Sequence, residues 1–196
     1  MSEEATPADF GELSRAEVLQ VFKEAGAILQ GHFQLTSGRH SDTYLEKFRV
    51  LQSPKHTERL CRLIAARFRD EGIDLVAGPT TGGIILAYEV GRQLGVRGIF
   101  AEGDGRRIFK RGFHIEPGER VLVVDDILTT GGSVREVLSA VREAGGQPVG
   151  VAVLVDRTGG GADFVLPFHA CLTLEIASYE AADCPLCAEH VPLTKT

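Results

Sequence analysis

The sequence predicts an α/β protein with a doubly wound, mainly parallel sheet that is flanked by helices. From residue 73 onwards, short apolar runs typical of buried strands alternate with amphipathic stretches of helical period. Glycines separate these segments, as turns require. Strands that alternate with helices favour parallel pairing with helices on both faces of the sheet. A length of 196 residues at 43% hydrophobic composition suffices for one domain over residues 1–196.

The first fifty residues differ from the alternating part that follows. Ser14 and Glu17 form a capping-box pattern ahead of a helical apolar stripe, which predicts a first helix that ends at Gly31. The stripe consists of Val18, Phe22, Ala25 and Leu29. Residues 32–47 are polar and have Gly38 in their middle, so we expect a hairpin or an extended loop there.

The elements of the predicted core follow in order. Ser53 and Pro54 are typical of a helix start, and this helix is expected to continue to about Gly72. The periodicity then predicts a strand at 73–77, a helix at 84–94, strands at 96–100 and 121–124, a helix at 133–144 and a strand at 149–155. We therefore expect the core sheet within about residues 73–176. Residues 101–120 are rich in Gly and Arg, which predicts a projecting hairpin or mobile loop.

Composition argues against several classes of function. The formal net charge of -6 is unlike that of a general nucleic-acid binder. No apolar run approaches the roughly 20 residues of a membrane-spanning helix, and the acidic N-terminus is unlike a signal peptide. We expect a cytoplasmic protein without membrane or nucleic-acid partners. Cys61 and Cys171 stand alone in apolar surroundings, as buried thiols do.

Cys184 and Cys187 form the sequence CPLC near the C-terminus. Because the chain has no second cysteine pair, a complete zinc site would need a further ligand such as His190. The alternative, a surface turn with fortuitous spacing, is the interpretation that the sequence favours.

The stretch VLVVDDILTTGGSVREV, residues 121–137, contains the main candidate site. Ligands of doubly wound sheets bind beyond the carboxyl ends of the strands, so Asp125 and Asp126 are expected at that edge, directly after the strand. The loop from Thr129 to Ser133 offers hydroxyls and unobstructed backbone N–H groups before a helix, which suits a phosphate. Adjacent carboxylates suit ribose hydroxyls or Mg²⁺ instead.

A phosphorylated sugar bound with a metal ion satisfies both parts of this stretch. No Gly-Lys-Thr/Ser follows the glycines and no GxGxxG accompanies the strand, so the motif is neither a Walker loop nor a dinucleotide fingerprint. Ser133 and Glu136 form a second capping-box pattern, which predicts the helix start. The alternative is a strand-to-helix turn with surface aspartates, but such a turn needs neither two acids nor three hydroxyls.

The sequence VLVVDDILTTGGS resembles the signature with which type I phosphoribosyltransferases bind phosphoribosyl pyrophosphate (PRPP). The resemblance implies their fold, with an N-terminal hood at about residues 1–50 and a mobile catalytic loop at about residues 101–120. It also implies Mg²⁺ as cofactor, held by Asp125 and Asp126 through water. PRPP would be bound by Asp125, Asp126, Ile127, Leu128, Thr129, Thr130, Gly131, Gly132 and Ser133.

Other segments indicate which molecule accepts the phosphoribosyl group of PRPP. GHFQLTSGRHSDTYLEK (residues 31–47) and VAVLVDRTGGGADF (residues 151–164) resemble segments of orotate phosphoribosyltransferases, as do the PTTGG loop and the DCPLC tail. The resemblance implies transfer of the phosphoribosyl group of PRPP to orotate, giving orotidine 5'-monophosphate and pyrophosphate in UMP biosynthesis. It implies orotate contacts by Thr129 and Arg157, and a homodimer in which the mobile loop reaches the partner's site.

The chemistry of Arg157 agrees with orotate as acceptor. Orotate differs from uracil by a carboxylate, and a guanidinium at a strand end can bind a carboxylate through two parallel charge-assisted hydrogen bonds. The alternative is that Asp156 and Arg157 only form surface ion pairs after the strand.

Some positions depart from the family pattern. Thr36 stands where many members have Lys, and Thr81-Gly82-Gly83-Ile84 replaces a Tyr-Lys-Gly-Ile loop, although its glycines could present N–H groups to pyrophosphate. Glu102 and Gly103 stand where an Arg-Lys pair is usual. The expected catalytic residues are Asp125, Asp126, Arg106, Arg107, Lys110 and Arg111, whereas His114 is left without a role.

The resemblance implies an oxocarbenium-like transition state, in which negative charge develops on the leaving pyrophosphate. Because the orotate nitrogen can attack as an anion, no general base is assigned. Two other functions stay open from the sequence. A phosphoribosyltransferase for another base would not need Arg157, and a non-catalytic nucleotide-sensing regulator would tolerate the missing loop lysine.

Overall fold

The computed structural model describes residues 13–103 and 105–196 of the chain. The helices are α1 (Arg15–Glu24), α2 (Phe48–Leu51), α3 (Pro54–Phe68), α4 (Gly82–Leu94), α5 (Gly132–Glu143) and α6 (Pro185–Ala188). The strands are β1 (Ile28–Gln34), β2 (His40–Leu45), β3 (Leu75–Pro79), β4 (Arg97–Glu102), β5 (Ile108–Phe109), β6 (Arg120–Leu128), β7 (Gln147–Asp156), β8 (Phe168–Thr173) and β9 (Thr194–Lys195). Residues 1–12 of the predicted hood and residue 104 of the predicted loop lie outside the described residues.

A six-stranded sheet in the order β5-β4-β3-β6-β7-β8 forms the centre of the fold. Its strands are parallel except for the short β5, which runs antiparallel to β4. Alternate residues of the central strands enter two hydrophobic cores on opposite faces. Val76, Leu122 and Val124 lie in the core with α1, α3 and α4, and Leu75, Val121 and Val123 lie in the core with α5. The predicted doubly wound α/β class is confirmed.

The N-terminal region confirms the start of the first predicted helix and corrects its end. The Ser14 backbone N–H donates to Glu17 Oε2 at 2.8 Å and the Glu17 N–H donates to Ser14 Oγ at 3.3 Å, so the capping box is formed. The helix ends at Glu24 rather than Gly31, and Leu29 lies in β1 opposite Tyr44 of β2. Helical spacing alone does not reveal this partner strand, which makes residues 28–34 extended. The predicted hairpin at residues 32–47 is present as β1 and β2.

Strand β6 is longer than the sequence predicted. Its pairing with β3 ends at Ala77 and Val123, but its pairing with β7 continues as far as Leu128 and Asp156. The two aspartates at 125–126 therefore lie inside the strand, not after it. They are still beyond the end of the β3–β6 ladder, where the sheet opens towards the first turn of α4.

The start of α5 also differs from the prediction. Its N-cap is Gly131 in the left-handed region (φ 79°), without a side-chain capping bond, so the capping box predicted for Ser133 and Glu136 is wrong. Both side chains contact Arg107 instead. The other core elements are confirmed with shifted boundaries, and residues 101–120 contain the expected hairpin because β5 folds back on β4.

The sequence did not predict strands β8 and β9. Strand β9 pairs in parallel with β1, which gives a second, three-stranded sheet in the order β2-β1-β9. The C-terminal segment is thereby attached to the N-terminal hairpin. In residues 13–103 and 105–196, no helix is long and apolar enough to cross a membrane.

Candidate active site

Asp125 and Asp126 are both buried, with 7% and 3% of their surface exposed. The Asp126 N–H donates to Asp125 Oδ1 at 2.8 Å, and the Ile127 N–H donates to Asp126 Oδ1 at 2.6 Å. Burial, together with the neighbouring Asp126 carboxylate, raises the pKa of Asp125 to about 7. The pair is therefore not the set of surface aspartates that the alternative interpretation required.

Lys47 forms an ion pair with Asp126, with its Nζ 3.0 Å from Oδ1 and 2.9 Å from Oδ2. Lys47 follows β2, so it comes from the N-terminal hairpin and is 79 residues from its partner in sequence. It lay inside the quoted segment 31–47, but no local pattern distinguishes it from a surface lysine. The two aspartates thus differ, because Lys47 contacts both carboxylate oxygens of Asp126, whereas Asp125 accepts from the Asp126 backbone N–H.

Gly82, the first residue of α4, lies directly against Asp126. A Cβ atom at position 82 would be 1.7 Å from Asp126 Oδ2 and 2.7 Å from its Cγ. Only a residue without a side chain fits here, because packed interiors have no space for such an overlap. The contact also puts the Asp126 carboxylate at the N-terminal end of α4, where the helix dipole favours negative charge. Gly82 of the TTGG loop therefore has a steric role beside Asp126 that the sequence did not indicate.

The loop between β6 and α5 presents the predicted phosphate-binding groups. Thr129, Thr130 and Gly132 are exposed, whereas Gly131 is buried and adopts the left-handed conformation that directs the chain into α5. The first N–H groups of an α-helix have no intrahelical partner and are available to an anion.

Ile127 and Leu128, the other two predicted PRPP-binding residues, have their side chains in the cores. Leu128 is 1% exposed and Ile127 is partly buried. They are placed to contact a ligand through their backbone only.

Arg107 bridges the two loops that border the aspartates. Its Nη1 donates to Thr80 Oγ1 at 3.0 Å, its Nη2 lies 3.5 Å from Ser133 Oγ, and its Nε lies 3.3 Å from Glu136 Oε2. The side chain is only 12% exposed. Of the four loop cations that we predicted, Arg107 is the one that contacts residues of both loops.

The other predicted loop cations lie farther out. Arg106 pairs with Glu143 at 2.9 Å near the end of α5, and Arg111 pairs with Glu102 at 2.7 Å. Both side chains are largely exposed, as is Lys110. His114, to which we assigned no role, is exposed and lies 3.4 Å from Glu116.

A cleft of about 430 Å³ opens beside this loop. It is lined by Leu35, Thr36, Ser37, Arg39, Tyr44, Thr129, Thr130, Arg157, Ile176, Ser178 and Thr196. The cleft brings together Thr129 and Arg157, the two residues predicted to contact orotate. The hairpin supplies most of the remaining wall together with Ile176 and Ser178. The sequence indicated the hairpin segment 31–47 but assigned none of its residues to the orotate site, and it did not indicate Ile176 or Ser178.

Arg157 is half-buried, and its Nε is a buried donor without a hydrogen-bond partner among residues 13–103 and 105–196. Burial lowers the pKa of its guanidinium from the usual value. The Asp156 carboxylate is 1% exposed and accepts from the N–H groups of Thr158 and Gly160 at 2.7 and 3.3 Å. The proposed alternative of a surface ion pair between Asp156 and Arg157 is therefore wrong, because Asp156 is occupied in shaping the turn behind Arg157.

The CPLC pair has a different environment from either interpretation of the sequence. His190, the further ligand suggested by sequence, is exposed, and Cys184 is buried rather than part of a surface turn. His32 and His40 of the N-terminal hairpin lie next to Cys184 and Cys187 instead.

Comparisons with known proteins add to this geometry. Residues 49–180 match the family described as phosphoribosyl transferase domain. The chain is 54% identical over 184 residues to the orotate phosphoribosyltransferase of Pelotomaculum thermopropionicum, which covers 93% of this chain and 97% of that protein.

Solved structures of orotate phosphoribosyltransferases are similar to this chain in fold. Orotate phosphoribosyltransferase of Mycobacterium tuberculosis H37Rv in complex with Fe(III) dicitrate superposes with a TM-score of 0.69 at 28% identity, over 82% of this chain and 96% of that chain. The same enzyme in complex with PRPP superposes with a TM-score of 0.65 at 27% identity, again over 82% and 96%.

Proposed function

The chain belongs to the phosphoribosyl transferase domain family and, within it, to the orotate phosphoribosyltransferases, and we propose that its reaction takes place where the cleft meets the β6–α5 loop. The enzyme transfers the phosphoribosyl group of PRPP to orotate and forms orotidine 5'-monophosphate and pyrophosphate, a step of UMP biosynthesis in our proposal. One observation supports this location most strongly. Thr129 and Thr130 belong both to the phosphate-type loop and to the wall of the cleft that contains Arg157.

The donor PRPP is proposed to bind on the β6–α5 loop. Exposed N–H groups at the start of α5 would bind a phosphate of PRPP, with the hydroxyls of Thr129, Thr130 and Ser133 beside them. Asp125 and Asp126 would accept hydrogen bonds from the ribose hydroxyls. The solved M. tuberculosis relative in complex with PRPP supports PRPP as the donor.

Mg²⁺ is the proposed cofactor, and the donor set at the aspartates fits it. Mg²⁺ takes one or two carboxylates from a protein and completes its shell with water and substrate phosphates. The raised pKa of Asp125 shows that burial and the neighbouring Asp126 disfavour its charge, and a bound divalent cation would relieve both effects. Asp125 and Asp126 would hold the ion through water, and the ion would supply positive charge to the pyrophosphate group.

Orotate is proposed to occupy the cleft, with its carboxylate on Arg157. The buried Nε of this arginine lacks a partner in the described part of the chain, and a carboxylate accepts from a guanidinium through two parallel bonds. Thr129 would orient the ring from the loop side. The orotate nitrogen attacks as an anion, so the site needs no general base.

Cations of the loop are proposed to meet the leaving pyrophosphate, where negative charge develops. Arg107 already lies between Thr80 and Ser133 and is the best-placed of them. Arg106, Lys110 and Arg111 are exposed, and surface ion pairs such as those of Arg106 and Arg111 are weak enough to exchange. We propose that residues 101–120 close over the site and bring these cations to it, which would also exclude water.

The organisation around this site is also proposed. The chain would form one phosphoribosyltransferase domain with residues 1–50 as its hood and residues 73–176 as its core. Phe48 and Tyr88 expose aromatic rings on the contacting helices α2 and α4, which supports a homodimer through apolar surface. The four free cysteines support a reducing, cytoplasmic location.

A turnover assay with PRPP, Mg²⁺ and a panel of bases tests the proposed acceptor site. The unchanged enzyme should use orotate and discriminate strongly against uracil. In Arg157→Ala, kcat/KM for orotate should fall by on the order of 100-fold, about 3 kcal/mol, because the carboxylate loses its charged partner. Arg142→Ala, an exposed arginine on the last turn of α5, is the matched control and should behave like the unchanged enzyme.

Two results would contradict the proposal. If Arg157→Ala kept full activity with orotate, the cleft would not be the site of carboxylate recognition. If the unchanged chain bound PRPP but released no pyrophosphate with any base, the regulator interpretation would replace that of an enzyme.

A further inference from the structure

A cluster of metal-ligating side chains lies outside the proposed active site, where the C-terminal segment meets the hairpin. His32 is on β1, His40 is on β2, and Cys184 and Cys187 flank the proline and leucine that begin α6. One nitrogen or sulfur atom from each of the four side chains lies within 4.8 Å of the other three. Two histidines and two cysteines from three separate elements therefore converge on one point.

Four of the distances between these atoms are close to those of a tetrahedral site, and the remaining two are at most 4.8 Å. His32 Nε2 is 3.0 Å from His40 Nδ1, 3.5 Å from Cys184 Sγ and 3.7 Å from Cys187 Sγ, and Cys187 Sγ is 3.3 Å from His40 Nδ1. Nitrogen and sulfur ligands at about 2.0–2.3 Å from a tetrahedral Zn²⁺ are about 3.3–3.8 Å from one another. The four side chains need only small adjustments to surround one ion.

The orientation of His32 is fixed by a contact outside the cluster. Its Nδ1 lies 2.7 Å from the backbone carbonyl oxygen of Val191, an atom that can only accept. The proton must therefore be on Nδ1, which leaves the Nε2 lone pair directed at the two sulfurs and His40. Zinc-bound histidines typically donate their other ring N–H to a carbonyl oxygen in this way.

The burial of the cluster indicates a structural rather than a catalytic ion. His32, His40 and Cys184 are each 4% exposed or less, so four ligands would fill the shell without a site for solvent. Thiolate and imidazole ligands favour zinc over magnesium, which prefers oxygen. Two thiolates also neutralise the double charge of the ion, so that the buried site as a whole carries no net charge.

We propose that His32, His40, Cys184 and Cys187 bind a structural Zn²⁺ that fastens the C-terminal segment to the β1–β2 hairpin. The ion is separate from the Mg²⁺ site at the aspartates, and the proposal does not depend on the reaction. The ion would also hold together two parts of the chain that line the cleft, the hairpin with Leu35, Thr36, Ser37 and Arg39 and the C-terminal segment with Thr196. His40 also forms a two-bond bridge with Tyr179, next to the cleft residue Ser178.

Metal analysis of the full chain, purified without chelator or a histidine tag, tests this site. We expect about one zinc ion per chain in the unchanged protein and less than about 0.1 in Cys184→Ser and in Cys187→Ser. His190→Ala is the matched control, because His190 is close in sequence but exposed, and it should keep the full zinc content.

A second measurement on the unchanged chain avoids the risk that the cysteine variants do not fold. Removing zinc with a zinc-selective chelator should lower the melting temperature, and adding Zn²⁺ should restore it. Loading the zinc-free chain with Co²⁺ should give the visible absorption of tetrahedral cobalt with thiolate ligands.

Three outcomes would overturn the proposal. One is an unchanged protein that holds no zinc even after incubation with equimolar ZnCl₂. Another is wild-type zinc content in both cysteine variants. The third is a disulfide between Cys184 and Cys187 in protein isolated under reducing conditions, since oxidised sulfurs cannot bind the ion.

Discussion

The donor side and the acceptor side of the proposed site differ in how the chain builds them. The donor side is nearly one continuous stretch, residues 125–133, held by a strand that is buried in the middle of the sheet. The acceptor side is assembled from the hairpin, the β6–α5 loop, Arg157, residues 176–178 and Thr196. The β6–α5 loop belongs to both sides, and the hairpin that lines the cleft also contributes Lys47 to the donor side.

This difference predicts which kind of substitution damages each side. On the donor side, atoms are packed so closely that Gly82 touches the Asp126 carboxylate, and a single added carbon must displace it. On the acceptor side, the cleft is wider, and the half-buried Arg157 is the cation proposed to recognise the orotate carboxylate. We therefore expect steric changes to damage the donor side and charge changes to damage the acceptor side.

The substitution Gly82→Ala should have the largest effect on the donor side alone. Its Cβ would lie 1.7 Å from Asp126 Oδ2, so the carboxylate or the start of α4 must move. A displacement of about 1 Å at reacting groups costs on the order of 100-fold in rate, and we expect at least this loss in kcat/KM for PRPP. The residual activity should keep the preference for orotate over uracil.

Gly161→Ala is the control for this experiment, since its Cβ would meet nothing nearer than 3.4 Å. Normal PRPP kinetics in Gly82→Ala would contradict the expected steric sensitivity of the donor side. A base preference that changed as strongly as the rate would contradict the separation of the donor side from the acceptor side.

Lys47→Met should have a smaller effect and show that the hairpin also serves the donor side. Without this lysine, Asp126 is a buried carboxylate beside Asp125 with no cationic partner in the described chain. We expect KM for PRPP to rise about tenfold while KM for orotate changes little. Steady-state kinetics measure both constants, and Lys55→Met, an exposed lysine of α3, controls for loss of a surface charge. An unchanged KM for PRPP would remove Lys47 from the donor side.

Asp125→Asn should have the smallest effect, an increase in the stability of the ligand-free chain. The folded pKa of about 7 exceeds the unfolded value near 3.9, so the folded chain binds more protons between about pH 4 and pH 7. The free energy of unfolding therefore falls as pH rises through this window. Above about pH 7, the loss of stability caused by ionising the buried Asp125 carboxyl is fully present.

The amide cannot ionise, so Asp125→Asn should be more stable by about 1–2 kcal/mol at pH 8 and close to the unchanged chain at pH 4. Urea unfolding at several pH values measures this difference, with the exposed Asp70→Asn as control. A variant that is less stable at pH 8 would show that the Asp125 carboxylate is stabilised, not strained, by its surroundings.

The sequence predicted those features in which neighbouring residues act together. The paired aspartates, the Thr-Gly loop and the strand ending at Arg157 are local patterns, and the structure brings them to one region. The alternation of apolar runs was likewise sufficient for the four central strands β4, β3, β6 and β7 and for the helices α3, α4 and α5.

Features that depend on distant partners could not be predicted in this way. Lys47 meets Asp126 across 79 residues, and β1 is a strand only because β2 and β9 pair with it. The extension of β6 to Leu128 depends on β7, whose pairing no periodicity in β6 reveals. The cysteine pair shows the same limit. His190 is the histidine nearest to it in sequence, but His32 and His40 are the histidines that lie beside it in space.

The separation of the two sides can be tested most directly by the thermal shift that PRPP with Mg²⁺ produces. In Arg157→Ala, which alters only the acceptor side, the shift should equal that of the unchanged chain. In Gly82→Ala, which alters only the donor side, it should be largely lost, because ligand stabilisation follows affinity. A loss of the PRPP shift in Arg157→Ala, or a full shift in Gly82→Ala, would contradict the division of the site into a donor side and an acceptor side.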